Sequence, residues 1–151
     1  MQDEHSATIV RVINASVNEL YAAWTEPMIM KRWLATVVEA DVRVGGVFRI
    51  ENHEKDGTVN AFTGEYRVLE PGKRIVQTFH HVSGAKPGTY EDELLEVKLK
   101  PLATGVTELR LVNSWKGKPM SDVELGEFEA GWTQWLDLLI AGVEPVSTEE
   151  P

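Results

Sequence analysis

Apolar and polar residues alternate along most of this chain, and the alternation predicts an antiparallel β protein. The segment "ATIVRVINA" at 7–15 alternates in this way and is rich in β-branched residues, so it predicts a first strand. Six later segments share the pattern, and the predicted strands are 37–44, 47–54, 61–70, 74–82, 91–100 and 107–115. Short Gly-, Pro- and Asp-containing turns join most of them, which favours antiparallel pairing.

Helical spacing replaces the alternation in three places. After the first strand, Ser16 and Glu19 have the spacing of a capping box, and Pro27 suits the first turn of a second short helix. Near the end of the chain Ser121 and Glu124 repeat the capping-box spacing. A helical stripe follows them: Leu125, Phe128, Trp132, Trp135, Leu136 and Leu139. Gly142 is predicted to end this long helix.

The long helix combines bulky tryptophans with an internal glycine, which predicts uneven contact with the sheet. One sheet face must be covered, and the C-terminal helix is the only long element available to cover it. We expect Gly131, beside Trp132, to let the helix approach the sheet in some places and to leave space in others. The aromatic side chains then either line a ligand cavity or fill a solid interior, and the pattern is compatible with both.

Composition and charge narrow the class of protein. A chain of 151 residues predicts a single domain over 1–151, with a core at about 7–142 and a flexible tail at 143–151. The net charge of −9 disfavours nucleic acid as a partner. No apolar run approaches the roughly 20 residues of a membrane span, and no export signal is recognisable. With no cysteine in the chain, we expect a cytoplasmic protein without disulfides.

Alternation also predicts which strand residues face the helix. The inward sets include Phe48, Ile50 and Asn52; Phe62, Gly64, Tyr66 and Val68; Ile75, Gln77, Phe79 and His81; Leu95, Val97 and Leu99; and Leu109, Leu111, Asn113 and Trp115. Three of these residues are polar: Gln77, His81 and Asn113. Such groups either orient a mostly apolar ligand or pair with backbone and buried water, and both interpretations stay open.

Catalytic and metal chemistry have little support in the sequence. His80 and His81 are neighbours on a predicted strand, so they point to opposite faces and cannot serve one site. An inward His81 remains a candidate general acid or base. No nucleophile motif or metal-ligand spacing is recognisable, and we predict neither a metal nor a cofactor.

Four stretches in order resemble the AHSA1-like (activator of Hsp90 ATPase homologue) branch of the SRPBCC, or START-like, superfamily: "VNELYAAWTEPMIMKRWL", "VRVGGVFRI", "GEYRVLEPGKRIVQTF" and "EAGWTQWLDLL". The resemblance spans about residues 8–142. It implies an α+β helix-grip fold like that of Bet v 1: a curved antiparallel sheet around a long C-terminal helix, with two short helices after the first strand. It also implies a cavity between sheet and helix that binds hydrophobic small molecules. Asn113 stands near the position where many relatives carry a histidine, so no catalytic role is carried over.

The sequence therefore predicts a binding protein for a small, largely hydrophobic ligand. The predicted lining residues are Trp24, Trp33, Phe48, Ile50, Tyr66, Gln77, Phe79, His81, Val97, Leu111, Asn113, Trp115, Phe128, Trp132 and Trp135. The alternatives are a cyclase- or hydrolase-type enzyme that uses His81, and an interaction module for a chaperone or for a homodimer. An Hsp90-type chaperone is not the expected partner, because the resemblance covers only one domain of the eukaryotic activator.

Overall fold

The computed structural model describes residues 4–83 and 91–144. Within these ranges the chain forms eight strands and three helices. The elements in chain order are β1 Glu4–Ile13, α1 Val17–Thr25, α2 Pro27–Trp33, β2 Val37–Ala40, β3 Val47–His53, β4 Val59–Glu70, β5 Arg74–Thr78, β6 His80–Ser83, β7 Glu91–Ala103, β8 Val106–Lys116 and α3 Asp122–Val143.

The strands form one antiparallel sheet, in which the first and last strands are neighbours. The order is β1-β8-β7-β5-β4-β3-β2, with β6 paired beside β4. The first strand therefore pairs with the last, from Glu4 opposite Lys116 to Ile13 opposite Thr107. A strand is present in each of the seven predicted segments, but the one predicted at 37–44 ends at Ala40. The predicted α+β helix-grip class is confirmed.

One predicted strand is divided in the structure. The segment 74–82 forms β5 and β6, separated at Phe79, because its two halves have different neighbours. β5 pairs with both β4 and β7, whereas β6 pairs with β4. The backbone N–H of Phe79 donates to the carbonyl of Glu93 at 3.1 Å, so Phe79 stays hydrogen-bonded to β7 between the two strands.

Gly64 and a β-bulge bend β4 at the same level of the sheet. A Cβ at Gly64 would collide with the carbonyl oxygen of Thr78 and would lie 2.6 Å from the ring of Phe48. The register shifts between Tyr66 and Val68, and Leu69 packs against the core beyond the shift. The prediction that Val68 belongs to the inward set is wrong for this reason, since one extra residue reverses the alternation.

The helices begin as the sequence predicts. Both capping boxes are present, at Ser16 with Glu19 and at Ser121 with Glu124, and Pro27 lies in the first turn of α2. The predicted end of α3 at Gly142 is wrong: the helix continues through Val143 to an extended Glu144.

The predicted flexible tail can be compared with the structure only at its start. The Glu144 carboxylate accepts a hydrogen bond from the backbone N–H of Asn14 at 2.8 Å, which ties the end of α3 to the end of β1. The remainder of that tail, 145–151, lies outside the described residues, as does the predicted loop at 84–88.

The core lies between the concave face of the sheet and the C-terminal half of α3. Leu136 and Leu139 on α3 are fully buried, in one cluster with Leu20 of α1 and Leu109 and Leu111 of β8. The N-terminal half of α3 is different, because between Asp122 and Gly131 it buries no side chain completely. The helix therefore seals one end of the sheet and leaves the other end less covered.

Candidate functional site

A cavity of about 620 Å³ lies at the less covered end, between α3 and the strands β3, β4, β6, β7 and β8. Six Trp and Phe side chains contribute to its wall: Trp33, Phe62, Phe79, Phe128, Trp132 and Trp135. Nine polar residues also line it: Asn52, Glu54, Asn60, His81, Glu93, Asn113, Glu124, Glu127 and Gln134. Met120, Gly131 and Leu138 complete the lining. The space thus has an aromatic body with polar groups distributed around it.

Four aromatic side chains of the wall, Phe62, Phe79, Trp132 and Trp135, touch one another in a continuous series. Trp132 and Trp135 have ring centroids 4.7 Å apart, and Trp135 meets the ring of Phe62 edge-on at 5.5 Å. Phe62 stacks on Phe79 at 5.0 Å, and Phe79 lies 5.9 Å from Trp132. Mutual packing of this kind restricts the rings, so their faces are held in place before any ligand arrives.

Hydrogen bonds fix the tryptophans at the end of the cavity. The carbonyl oxygen of Leu34, just after α2, accepts from the indole N–H of Trp135 at 2.8 Å and from the Asn52 amide at 3.0 Å. The indole N–H of Trp33 donates to the carbonyl of Ala23 at 2.9 Å. These bonds join α1, α2, β3 and α3, and they hold the aromatic wall as one unit.

A half-buried carboxyl group, Glu93 on β7, faces this cavity. Its Oε2 accepts a hydrogen bond from the Asn113 side-chain amide at 3.2 Å, and Asn113 is 1% exposed. Burial raises the pKa of Glu93 to about 7, and the bond from Asn113 lowers it by a smaller amount. The group therefore exchanges its proton near neutral pH.

The imidazole of His81 lies flat against the aromatic wall. Its ring stacks on Phe62 with centroids 4.5 Å apart and 17° between planes. Its Nε2 is 3.2 Å from Oδ1 of Asn60, an arrangement in which Nε2 donates when it carries the proton. His81 thus presents a polar edge beside a large apolar surface.

Gly131 differs from its expected role. A Cβ at this position would meet nothing within 4 Å, so the glycine does not serve a close approach of α3 to the sheet. The expectation of close contact at Gly131 is wrong, whereas the expected space is present, because Gly131 lines the cavity. Gly126, one and a half turns earlier, also has open space around it but is not part of the wall.

The structure divides the predicted lining residues into two groups. Seven of the predicted residues line the cavity: Trp33, Phe79, His81, Asn113, Phe128, Trp132 and Trp135. Eight are buried in the interior away from its wall: Trp24, Phe48, Ile50, Tyr66, Gln77, Val97, Leu111 and Trp115. The strands are longer than the cavity, so one inward face contributes residues both to the wall and to the packed core.

Two of these interior residues carry a polar atom without a hydrogen-bond partner. The indole N–H of Trp24 and the hydroxyl of Tyr66 have none among the described residues. Burial raises the pKa of Tyr66 to about 12, so its hydroxyl keeps the proton throughout the neutral range. Each buried unpaired polar group lowers native stability by about 1–3 kcal/mol.

Several residues that line the cavity were not among the predicted lining residues, and for some of them the local sequence pattern indicates an inward position. Glu93 lies two residues before the inward-facing Leu95, so alternation alone places it on the concave face. Asn60 lies two residues before Phe62 and pairs across the strands with Asn52. Glu124, Glu127 and Gln134 on α3 could not be found in this way, because an exposed polar helix face has the same pattern.

Two further properties can be stated for the described residues. No group of three or more His, Asp or Glu side chains in 4–83 and 91–144 is placed to hold a metal ion. Over the same ranges, no helix combines the length and the apolar character needed to cross a membrane.

Comparison with known proteins identifies the class. The chain belongs to the family described as activator of Hsp90 ATPase homolog 1-like protein, whose model matches residues 14–144. This confirms the resemblance of the four sequence stretches. A curated relative is the uncharacterized protein C1711.08 of Schizosaccharomyces pombe, 31% identical over 112 residues. That match covers 74% of this chain but only 30% of the relative, so this chain spans less than a third of it.

Solved structures agree with the fold. Protein CV1439 from Chromobacterium violaceum is 29% identical and has a TM-score of 0.76, with 94% of this chain and 99% of that chain covered. The Aha1 dimer from Colwellia psychrerythraea has a TM-score of 0.71 at 18% identity, with 93% and 96% covered. At that identity the likeness concerns the fold alone.

Proposed function

We propose that this protein binds a small, largely hydrophobic molecule in the cavity between the sheet and α3. The observation that carries the proposal is a cavity of about 620 Å³ whose lining includes six Trp and Phe side chains. Small-molecule sites have volumes of about 300–1,000 Å³ and combine an apolar lining with a few polar groups. Large aromatic side chains give extensive contact at a low cost in conformational entropy.

The local sequence of α3 supports an empty space over a filled one. Gly131 contributes no side chain at the wall, although alanine would favour the helix by about 1 kcal/mol. Phe128 and Trp135 are only half-buried, which leaves apolar surface available for a guest. A ligand that covers these rings gains about 25 cal/mol for each Å² removed from water.

Two polar pairs in the wall are suited to orienting such a ligand. They are Glu93 with Asn113 and His81 with Asn60. In each pair one side chain is held by the other, so the atoms that face the cavity have a fixed direction. A mostly apolar ligand with one or two polar groups fits this arrangement best.

Acid–base catalysis is a second candidate, and the proton affinity of Glu93 favours it. A carboxyl with a pKa of about 7 can accept and return a proton at neutral pH. His81 on the same wall is the other candidate acid or base. In an enzyme, His81→Ala would abolish turnover of a bound compound and leave its binding intact.

The test of binding uses two glycine variants of α3. Native mass spectrometry of the protein from its own host should reveal a co-purified small molecule, and lipophilic compounds should change its tryptophan fluorescence. Gly131→Leu places a side chain at the cavity wall and should abolish both signals. Gly126→Leu makes the same change on the same helix away from the wall and should keep them.

Two results would contradict the proposal. One is a protein that is always empty and whose fluorescence ignores a broad set of lipophiles. The other is equal binding by the two leucine variants, because the ligand would then lie outside this cavity.

A further inference from the structure

The charged groups of the cavity wall are of one sign. Four carboxyl side chains line it, Glu54, Glu93, Glu124 and Glu127, and no Lys or Arg does so within 4–83 and 91–144. A ligand with a carboxylate or phosphate would find no lysine or arginine partner among these residues. It would also be repelled by the nearest carboxylates, so the wall disfavours an anion.

Glu93 is the carboxyl group that a ligand would meet in the least polar surroundings. Its hydrogen bond comes from the neutral amide of Asn113, which stabilises the charge without cancelling it. A carboxylate accepts about four hydrogen bonds, so most of its capacity remains unused by Asn113. A buried charge of this kind binds either a proton or a cation.

The aromatic side chains that line the same cavity have the same electrostatic preference. The faces of Trp and Phe rings carry partial negative charge and attract a cation that lies within about 6 Å. Phe79 is next to Glu93 through its backbone hydrogen bond, and its ring lies among those of Phe62, Trp132 and Trp135. The aromatic wall and the half-buried carboxyl group are therefore complementary to one ligand type.

We propose that the ligand is an organic cation, an amine or ammonium group on an apolar body, with Glu93 as its counter-ion and the aromatic wall around its body. This inference rests on the proposed function, because it assigns a chemical class to the ligand of the same cavity. A neutral molecule of the same shape would fit the wall but would gain no charge–charge attraction from the carboxylate.

The experiment compares three compounds that share one ring system. 1-Naphthylmethylamine is a cation at neutral pH, 1-naphthylmethanol is neutral, and 1-naphthylacetate is an anion. Each is titrated into the full chain by isothermal calorimetry at pH 7.5. We expect the amine to bind at least about tenfold more tightly than the alcohol, and the acetate to bind most weakly.

A matched pair of variants assigns the preference to one carboxyl group. Glu93→Gln keeps the shape and the bond to Asn113 but removes the charge, and it should reduce the preference for the amine about tenfold. Glu39→Gln removes the same charge from an exposed position on β2 and should leave the preference unchanged. The comparison of the three compounds on the unmodified protein needs no variant, so a folding defect in Glu93→Gln does not prevent the test.

Proton release gives an independent signal. At pH 7 Glu93 is about half protonated, so binding of the amine should release up to about half a proton, measured in buffers of different ionisation enthalpy. The other titratable groups of the wall are His81 on β6, Glu54 after β3, and Glu124 and Glu127 on α3. Loss of the release in Glu93→Gln assigns it to Glu93.

The possible failures are distinguishable. If amine and alcohol bind equally well, or the acetate binds best, the cation assignment is wrong and the proposed cavity function stands. If none of the three compounds binds, the cavity proposal fails for ligands of this size, and the cation assignment fails with it.

Discussion

The raised pKa of Glu93 predicts how the free energy of unfolding changes with pH in the absence of a ligand. Its pKa rises from 4.5 to about 7 on folding because the folded chain buries the carboxyl group. The folded protein therefore holds the proton at pH values where the unfolded chain has released it. The free energy of unfolding therefore decreases as the pH rises through this window, and the contribution from Glu93 reaches its full loss above the folded pKa.

The magnitude follows from the two pKa values. A change from 4.5 to about 7 corresponds to a loss of about 3 kcal/mol at pH 8. Glu93 is only half-buried, so water screens part of the charge and we expect roughly 1 to 3 kcal/mol. Glu93→Gln has no charge to bury and should be more stable than the unmodified protein by this amount at pH 8. The two proteins should be nearly equal at pH 4.5.

The assay is urea denaturation at several pH values between 4.5 and 8, with tryptophan fluorescence as the signal that monitors unfolding. Glu39→Gln is the control, since it changes the net charge equally at an exposed position. The measured quantity is the difference in unfolding free energy between each variant and the unmodified protein. A difference for Glu93→Gln that does not grow with pH would show that the carboxyl group is not desolvated, and the reasoning about this site would be wrong.

Four further substitutions test the packing of α3 and of the interior. Gly131→Ala and Gly126→Ala should each raise the free energy of unfolding by up to about 1 kcal/mol in urea titrations, because both positions have open space. A decrease in stability for Gly131→Ala alone would mean that the cavity wall is closed at that position. Tyr66→Phe should keep or raise the melting temperature, since it removes a buried hydroxyl without a partner, and a clear decrease would reveal a hidden one. Gly64→Ala should lower stability by more than about 2 kcal/mol in the same titrations, because its Cβ would lie 2.6 Å from the Phe48 ring; near-neutral stability would disprove the tight bend.

The sequence by itself determined the elements and the class of fold. Strand alternation, the capping boxes at Ser16 and Ser121 and the stripe on α3 depend on residues only a few positions apart. Local patterns of this kind do not depend on the tertiary structure, so they can be recognised from the sequence alone. The same alternation placed Phe79, His81 and Asn113 on the face where the cavity lies, and the helical spacing on α3 did so for Phe128, Trp132 and Trp135.

Only the tertiary structure decided where the cavity ends and which polar groups face it. The bulge beyond Tyr66 and the division at Phe79 occur where β4 pairs with β5 over one part of its length and with β6 over another. The proton affinity of Glu93 depends on Asn113, 20 positions away, and on the surrounding burial. Contacts between distant residues leave no periodic pattern in the sequence, because the partner of a given residue can stand at any position of the chain.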